Sequence, residues 1–141
     1  MSRTIRSKRF ISFIKSEDTF RVYKGSRLLF SSVKDRLHPV LEYIDSHNSL
    51  EENVTVYDRT IGNAAALLLQ KIKAARVLAE LGSENAIQTL RRAGIKYNFN
   101  QTVPCIMNDA GTDMCPMEKL SLGKKPDEFY AALKSGQGVK K

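Results

Sequence analysis

Two short segments hold the residue types that could do chemistry. The first is Asp58-Arg59-Thr60-Ile61-Gly62-Asn63-Ala64-Ala65-Ala66. The second is Asn108-Asp109-Ala110-Gly111-Thr112-Asp113-Met114-Cys115-Pro116-Met117-Glu118. In the first, a β-branched run leads into an apolar helical pattern, so a strand should hand over to a helix there. A helix start has unpaired N–H groups and a partial positive charge, and Gly62 leaves the backbone open to close approach. With Arg59 and Asn63 beside it, this joint is a candidate cradle for an anion or small polar ligand. It is not a P-loop, because Gly-x-x-x-x-Gly-Lys is absent.

In the second segment, Pro116 suits the first position of a helix and makes Cys115 its cap. Cys115 is then a candidate nucleophile, with Asp58 or Glu118 handling protons. Glu118, three residues after the cap, could instead bond back to the Cys115 N–H as in a capping box. Asn108 and Gly111 are the matching candidates for ligand contact. Asp109 and Asp113 have part of a calcium-loop spacing, but the other ligands are missing, so no metal is expected there. His38 and His47 have no carboxylate or cysteine at ligand spacing and are expected to be ordinary surface or helix residues.

The elements that must position these residues follow from periodicity. Ile5, Phe10, Phe13 and Ile14 fit one face of a basic N-terminal helix over about 4–16. Thr19–Tyr23 and Arg27–Val33 alternate around Lys24-Gly25-Ser26 and predict a β-hairpin. Asp35–Asp45 has helical spacing, Asn53–Tyr57 is strand-like, and Thr60 is a possible cap. Ile61, Ala64, Ala65, Leu68, Leu69 and Ile72 then form a helix apolar on most sides, as expected of a central one. Ala75–Glu80 is expected as a strand, Ser83–Ala93 as a helix capped by Ser83 and ended by Gly94. Ile95–Phe99 is a strand, Thr102–Met107 an apolar piece, and Cys115–Leu122 and Pro126–Lys134 are helices. Residues 135–141 are expected to be a flexible tail. Such alternation predicts a single α/β domain over 1–141, a mixed sheet that opens with a hairpin and has helices on its faces.

Composition excludes other classes. The 141 residues are 42% hydrophobic and 27% charged, ordinary for a globular chain. The longest apolar run, Ala64–Leu69, is far short of the roughly 20 residues that span a bilayer. No signal peptide is visible, and two cysteines are too few for a disulfide framework, so free thiols and a cytoplasmic setting are expected. The net charge is +8, and Arg3, Arg6, Lys8, Arg9 and Lys15 precede the first acid, Glu17. No RNA-binding motif accompanies that charge, which disfavours a nucleic-acid module, though the basic helix keeps nucleic acid or a protein partner as a second alternative. Open sheet edges make a homodimer conceivable.

Gly62-Asn63-Ala64-Ala65-Ala66, followed by Asn108-x-x-Gly111 and Cys115-Pro116-Met117-Glu118, resembles a small prokaryotic family of unknown function within the cytidine deaminase-like superfamily. The similarity runs from Thr19 through Glu118. It implies a three-layer α/β/α sandwich. A basic residue commonly follows the asparagine in that family; here it is Asp109. Active deaminases also need a His or Cys near a Glu at the start of the central helix, with Pro-Cys-x-x-Cys on the next. Here the helix begins Thr60-Ile61-Gly62-Asn63, and Pro104-Cys105 is followed by Asn108 at the partner position. Zinc-dependent deamination is therefore not expected, and no cofactor is implied. The expectation is a deaminase-fold protein that binds a small polar or nucleotide-like ligand at the central helix start. The alternative is a metal-independent enzyme using Cys115.

Overall fold

The computed structural model describes residues 5–46 and 51–135. His47 and residues 136–141 of the expected tail lie outside them. The chain opens with α1 (Lys8–Lys15), whose start is fixed by Ser7, the side chain of which accepts from the Phe10 N–H. That cap sets the helix start four residues later than the sequence pattern implied. The hairpin follows as β1 (Phe20–Lys24) and β2 (Arg27–Ser32), joined through Gly25 at φ +60°. α2 (His38–Ser46) starts after Arg36, whose left-handed φ of +58° breaks the expected earlier turn. Next come β3 (Val54–Ile61), α3 (Asn63–Lys71), β4 (Ala74–Ser83), α4 (Glu84–Ala93) and β5 (Lys96–Val103). α5 (Pro116–Ser121) and α6 (Pro126–Lys134) close the fold.

The five strands form one mixed sheet in the order β2-β1-β3-β4-β5. β1 is antiparallel to both neighbours; β3, β4 and β5 run parallel. Two differences from the sequence expectation matter for the site. β3 continues to Ile61, because Thr60 and Ile61 pair with Leu81 and Gly82 of β4. Thr60 is therefore a strand residue, and Gly62 caps α3. β4 and β5 are also longer than expected, and β5 takes in Thr102 and Val103. Ladder pairing with a neighbour extends a strand past the point where its own side-chain alternation ends.

Helices flank both faces, unequally. On one, α2 to α6 cover Val22, Val54, Val56, Val77, Ala79 and Phe99 with Val40, Tyr43, the α3 apolar residues, Ala86, Leu90, Phe129 and Leu133. On the other, α1 alone places Phe10 and Phe13 on Tyr23, Tyr57 and Leu78. The crowded face explains why α3 is apolar nearly all round: Ala64 through Leu69 are all buried. Among the described residues, no helix is long and apolar enough to cross a membrane.

Arg59 fastens the lone helix to the sheet. Its guanidinium donates to the carbonyls of Phe13 (3.3 Å), Ile14 (3.1 Å), Ser16 (2.9 Å) and Asp18 (2.8 Å), and lies over the Phe13 ring. These carbonyls lie at the end of α1 and its exit, where a cation is favoured; that of Phe13 also accepts from the Ser16 N–H and hydroxyl. Proposed from sequence as a ligand contact, Arg59 is instead committed to the opposite face of the sheet from α3.

Candidate functional site

The joint between β3 and α3 is not an open cradle. The Glu118 carboxylate, from α5, fills it. It accepts from the N–H groups of Asn63 (2.7 Å) and Ala64 (2.9 Å), and Glu118 is only 3% exposed. Gly62 is the residue that permits this. A Cβ there would lie 2.5 Å from the carboxyl carbon and both oxygens of Glu118. The expected capping box within α5 does not form: the Cys115 N–H donates to the Ile106 carbonyl (2.9 Å) instead. A carboxylate gains more on the start of the longer, buried α3 than on the six-residue α5. Burial nonetheless pushes the Glu118 pKa upward, against the two N–H groups that favour its charge.

Asn63 extends the same network. Its amide donates to the Ser121 hydroxyl (2.8 Å) and carbonyl (3.2 Å), and its oxygen accepts from the Thr89 hydroxyl. Ser121 in turn donates to the Glu118 carbonyl (2.7 Å). Asn63, Thr89, Glu118 and Ser121 are all buried, and no buried side-chain polar atom among the described residues lacks a partner. Satisfied polar networks of this kind fix one arrangement of the elements they join, here α3, α4 and α5.

Asp58, near the end of β3, accepts from the Arg59 N–H (2.7 Å). Burial raises its pKa to about 8, partly offset by the Arg59 and Thr60 N–H groups and the Arg59 charge. It therefore carries a proton at neutral pH, a state in which a carboxyl can donate. The stability consequence has a definite sign. Between the ordinary aspartate pKa near ~4 and the folded value, the unfolded chain has lost the proton and the folded chain has not, so stability falls as pH rises. Asp58→Asn removes that titration while keeping an acceptor. The variant is expected to exceed the wild type by about 1–3 kcal/mol at pH 8–9 and to match it near pH 4, a moderate figure because Asp58 keeps some solvent access. Urea melts across this range check it; equal slopes for both proteins would contradict the assignment.

Asn108 and Gly111 shape a loop. Asn108 accepts from the Thr112 N–H (3.0 Å) and donates to its hydroxyl (3.2 Å), while Gly111 takes φ +71° in the turn. Asp109, the departure from the family pattern, pairs with Arg36 at 2.5 Å.

Cys115 lines a groove of about 600 Å³ with Arg36, Leu37, His38, Leu41, Met117 and Leu133. Neither Asp58 nor Glu118 lines it. His38, expected to be an ordinary surface or helix residue, stands in the same groove as the thiol.

A second groove, of about 420 Å³, runs between α3 and α4 under the α5–α6 loop. Its walls carry the side-chain amides Asn63, Gln70, Asn85 and Gln88, with Thr89, and the cations Arg92, Lys124 and Lys125. No acid lines it. None of the three cations pairs with a carboxylate among the described residues. Of the residues proposed from sequence, only Asn63 reaches this groove. Asn85, Gln88 and Arg92 recur at i, i+3 and i+7 on α4, but in sequence such a polar stripe is indistinguishable from any solvated helix face. Among the described residues, no three His, Cys, Asp or Glu side chains gather as a metal site.

These features define a mixed α/β protein with a five-stranded sheet flanked by helices and a polar groove beside the central helix start. Residues 10–135 match the model of a domain of unknown function (DUF1893), and the chain belongs to that family. It is similar to the crystal structure, at 2.70 Å, of a DUF1893 family protein (TM1506) from Thermotoga maritima. The two share 27% identity over 96% of this chain and 95% of the other, with a TM-score of 0.80. No curated protein matches the chain.

Proposed function

We propose that this chain is a zinc-free protein of the cytidine deaminase-like class that binds a small anionic, nucleotide-like ligand in the α3–α4 groove. The observation that carries the proposal is the lining: among the described residues it has three cations without carboxylate partners, the three side-chain amides Gln70, Asn85 and Gln88 outside the buried network that holds Asn63, and no acid. The cations suit phosphate oxygens, and the amides suit the mixed donors and acceptors of a heterocycle edge. The volume lies within the range of small-molecule sites. The strand order and the opening hairpin support the superfamily assignment; the start of α3, which carries neither a glutamate nor a His or Cys, supports the absence of zinc. A cytoplasmic setting suits the free thiols of Cys105 and Cys115.

Thermal-shift screening with nucleotides and sugar phosphates tests it. A ligand at a hundredfold its Kd stabilises by about 2.7 kcal/mol, a rise in Tm of several degrees. The rise is expected with at least one phosphorylated compound, to vanish without the phosphate, and to be lost in Arg92→Ala/Lys124→Ala. No shift with any phosphorylated compound would contradict the proposal.

One observation favours a second reading. Cys115 and His38 share an apolar groove, an arrangement that can activate a thiol. Cys115 is then expected to alkylate at neutral pH faster than free cysteine, and slower in His38→Ala. A rate no faster than free cysteine removes this alternative.

A further inference from the structure

All the sulfur outside Met1 lies in one short stretch: Cys105, Met107, Met114, Cys115 and Met117. The chain doubles back there. Met107 and Met114 form an antiparallel bridge, flanked by bonds from Asn108 N to the Asp113 carbonyl (2.8 Å) and from Cys115 N to the Ile106 carbonyl (2.9 Å). That pattern makes them a non-hydrogen-bonded pair, the kind whose facing side chains come closest. Cys105, at the bend two residues before Met107, brings its Sγ to 3.7 Å from the Met107 Sδ. Two sulfurs held about 2.3 Å from one metal ion, at a trigonal or tetrahedral angle, stand roughly 3.8–4.0 Å apart. Met107 is also 44% exposed, although a thioether side chain normally packs inside.

From this juxtaposition we propose that Cys105, Met107 and Met114 form a three-coordinate site for monovalent copper. Ligand chemistry selects the ion. One thiolate and two neutral thioethers are soft donors, which suit Cu(I) and suit zinc, calcium or magnesium poorly. On binding, the Cys105 thiol gives its proton to water and its sulfur takes the metal, while Met107 and Met114 each donate a lone pair and copper stays monovalent. Thiolate and ion cancel, so a partly exposed site gains no charge. Cys115 and Met117 line the separate groove beside His38 and are not ligands.

The test is anaerobic titration of the reduced full chain with Cu(I) against a colorimetric Cu(I) chelator. One equivalent is expected to bind. Met107→Leu and Met114→Leu are each expected to weaken binding about tenfold, and Cys105→Ser about a hundredfold or more, with Cys115→Ser near the wild type. Carbon-13 labelling of the methionine methyls gives a readout that needs no variant: Met107 and Met114 shift on adding Cu(I), and Met117 does not. No uptake, Met107 and Met114 methyls that stay in place, or equal loss in Cys115→Ser would overturn the proposal.

Discussion

Glu118→Ala is expected to cost about 3 kcal/mol, since it strips the acceptor from two buried N–H groups and leaves a void beside them. An ordinary N-cap loss costs about 1 kcal/mol, but there the freed N–H groups turn to water. The Asn63 N–H has no such recourse, because its residue is buried beneath α5. Glu118→Gln should lose less, about 1–2 kcal/mol, because one oxygen still accepts while an amide NH₂ confronts the second N–H. Two further results separate capping from simple packing. Acetate or formate should raise the Tm of Glu118→Ala more than that of the wild type, by returning a carboxylate to the vacated helix start. Gly62→Ala should be severe in the wild type, where its Cβ would strike the Glu118 carboxyl at 2.5 Å, and mild in the Glu118→Ala background. Such coupling is read from a double-mutant cycle over urea melts. Additive costs would contradict the contact.

Gly82→Ala should be at least as damaging. Gly82 lies in the interior strand β4, paired with Ile61 on one side and Thr102 on the other. A Cβ there would fall 2.0 Å from the Cδ2 and 2.1 Å from the Cε2 of Phe99, whose buried ring lies over the glycine. Neither party can yield cheaply, because the ladder fixes the backbone and the core holds the ring. Overpacking of this kind costs about 3 kcal/mol or more, a fall in Tm of roughly 10 °C. Phe99→Leu in the same chain should recover part of the loss, since the smaller side chain vacates the collision. A Gly82→Ala protein that melts with the wild type would refute the packing.

Much of the fold is legible in sequence where the signal is local. Ser83 bonds to the Ala86 N–H and Gly94 takes φ +74°, both as their positions around α4 predict. The hairpin around Gly25 and the apolar run of α3 are equally direct. Strand ends are not, because ladder partners decide them: Thr60 has the chemistry of a cap, yet Leu81 holds it in β3. The β3–α3 joint is illegible for a related reason. Its glycine and unpaired N–H groups are real, but the group that satisfies them comes from more than fifty residues later. Nothing near Asp58–Ala66 indicates that a carboxylate from α5 will arrive. Arg59 likewise looks like an anion ligand until α1 presents its carbonyls. The α3–α4 groove draws on three separate segments, and only Asn63 among its residues stands in a conspicuous motif.

The proposed ligand site is this groove and not the helix start that Glu118 fills. Backbone amide shifts, followed by ¹H–¹⁵N NMR while a nucleoside monophosphate is added to the full chain, test it most directly. Saturable shifts are expected at Gln88, Arg92, Gly123 and Lys124, with Arg92→Ala weakening them about tenfold or more. Shifts confined to the Asn108–Cys115 loop, or none at millimolar nucleotide, would contradict it.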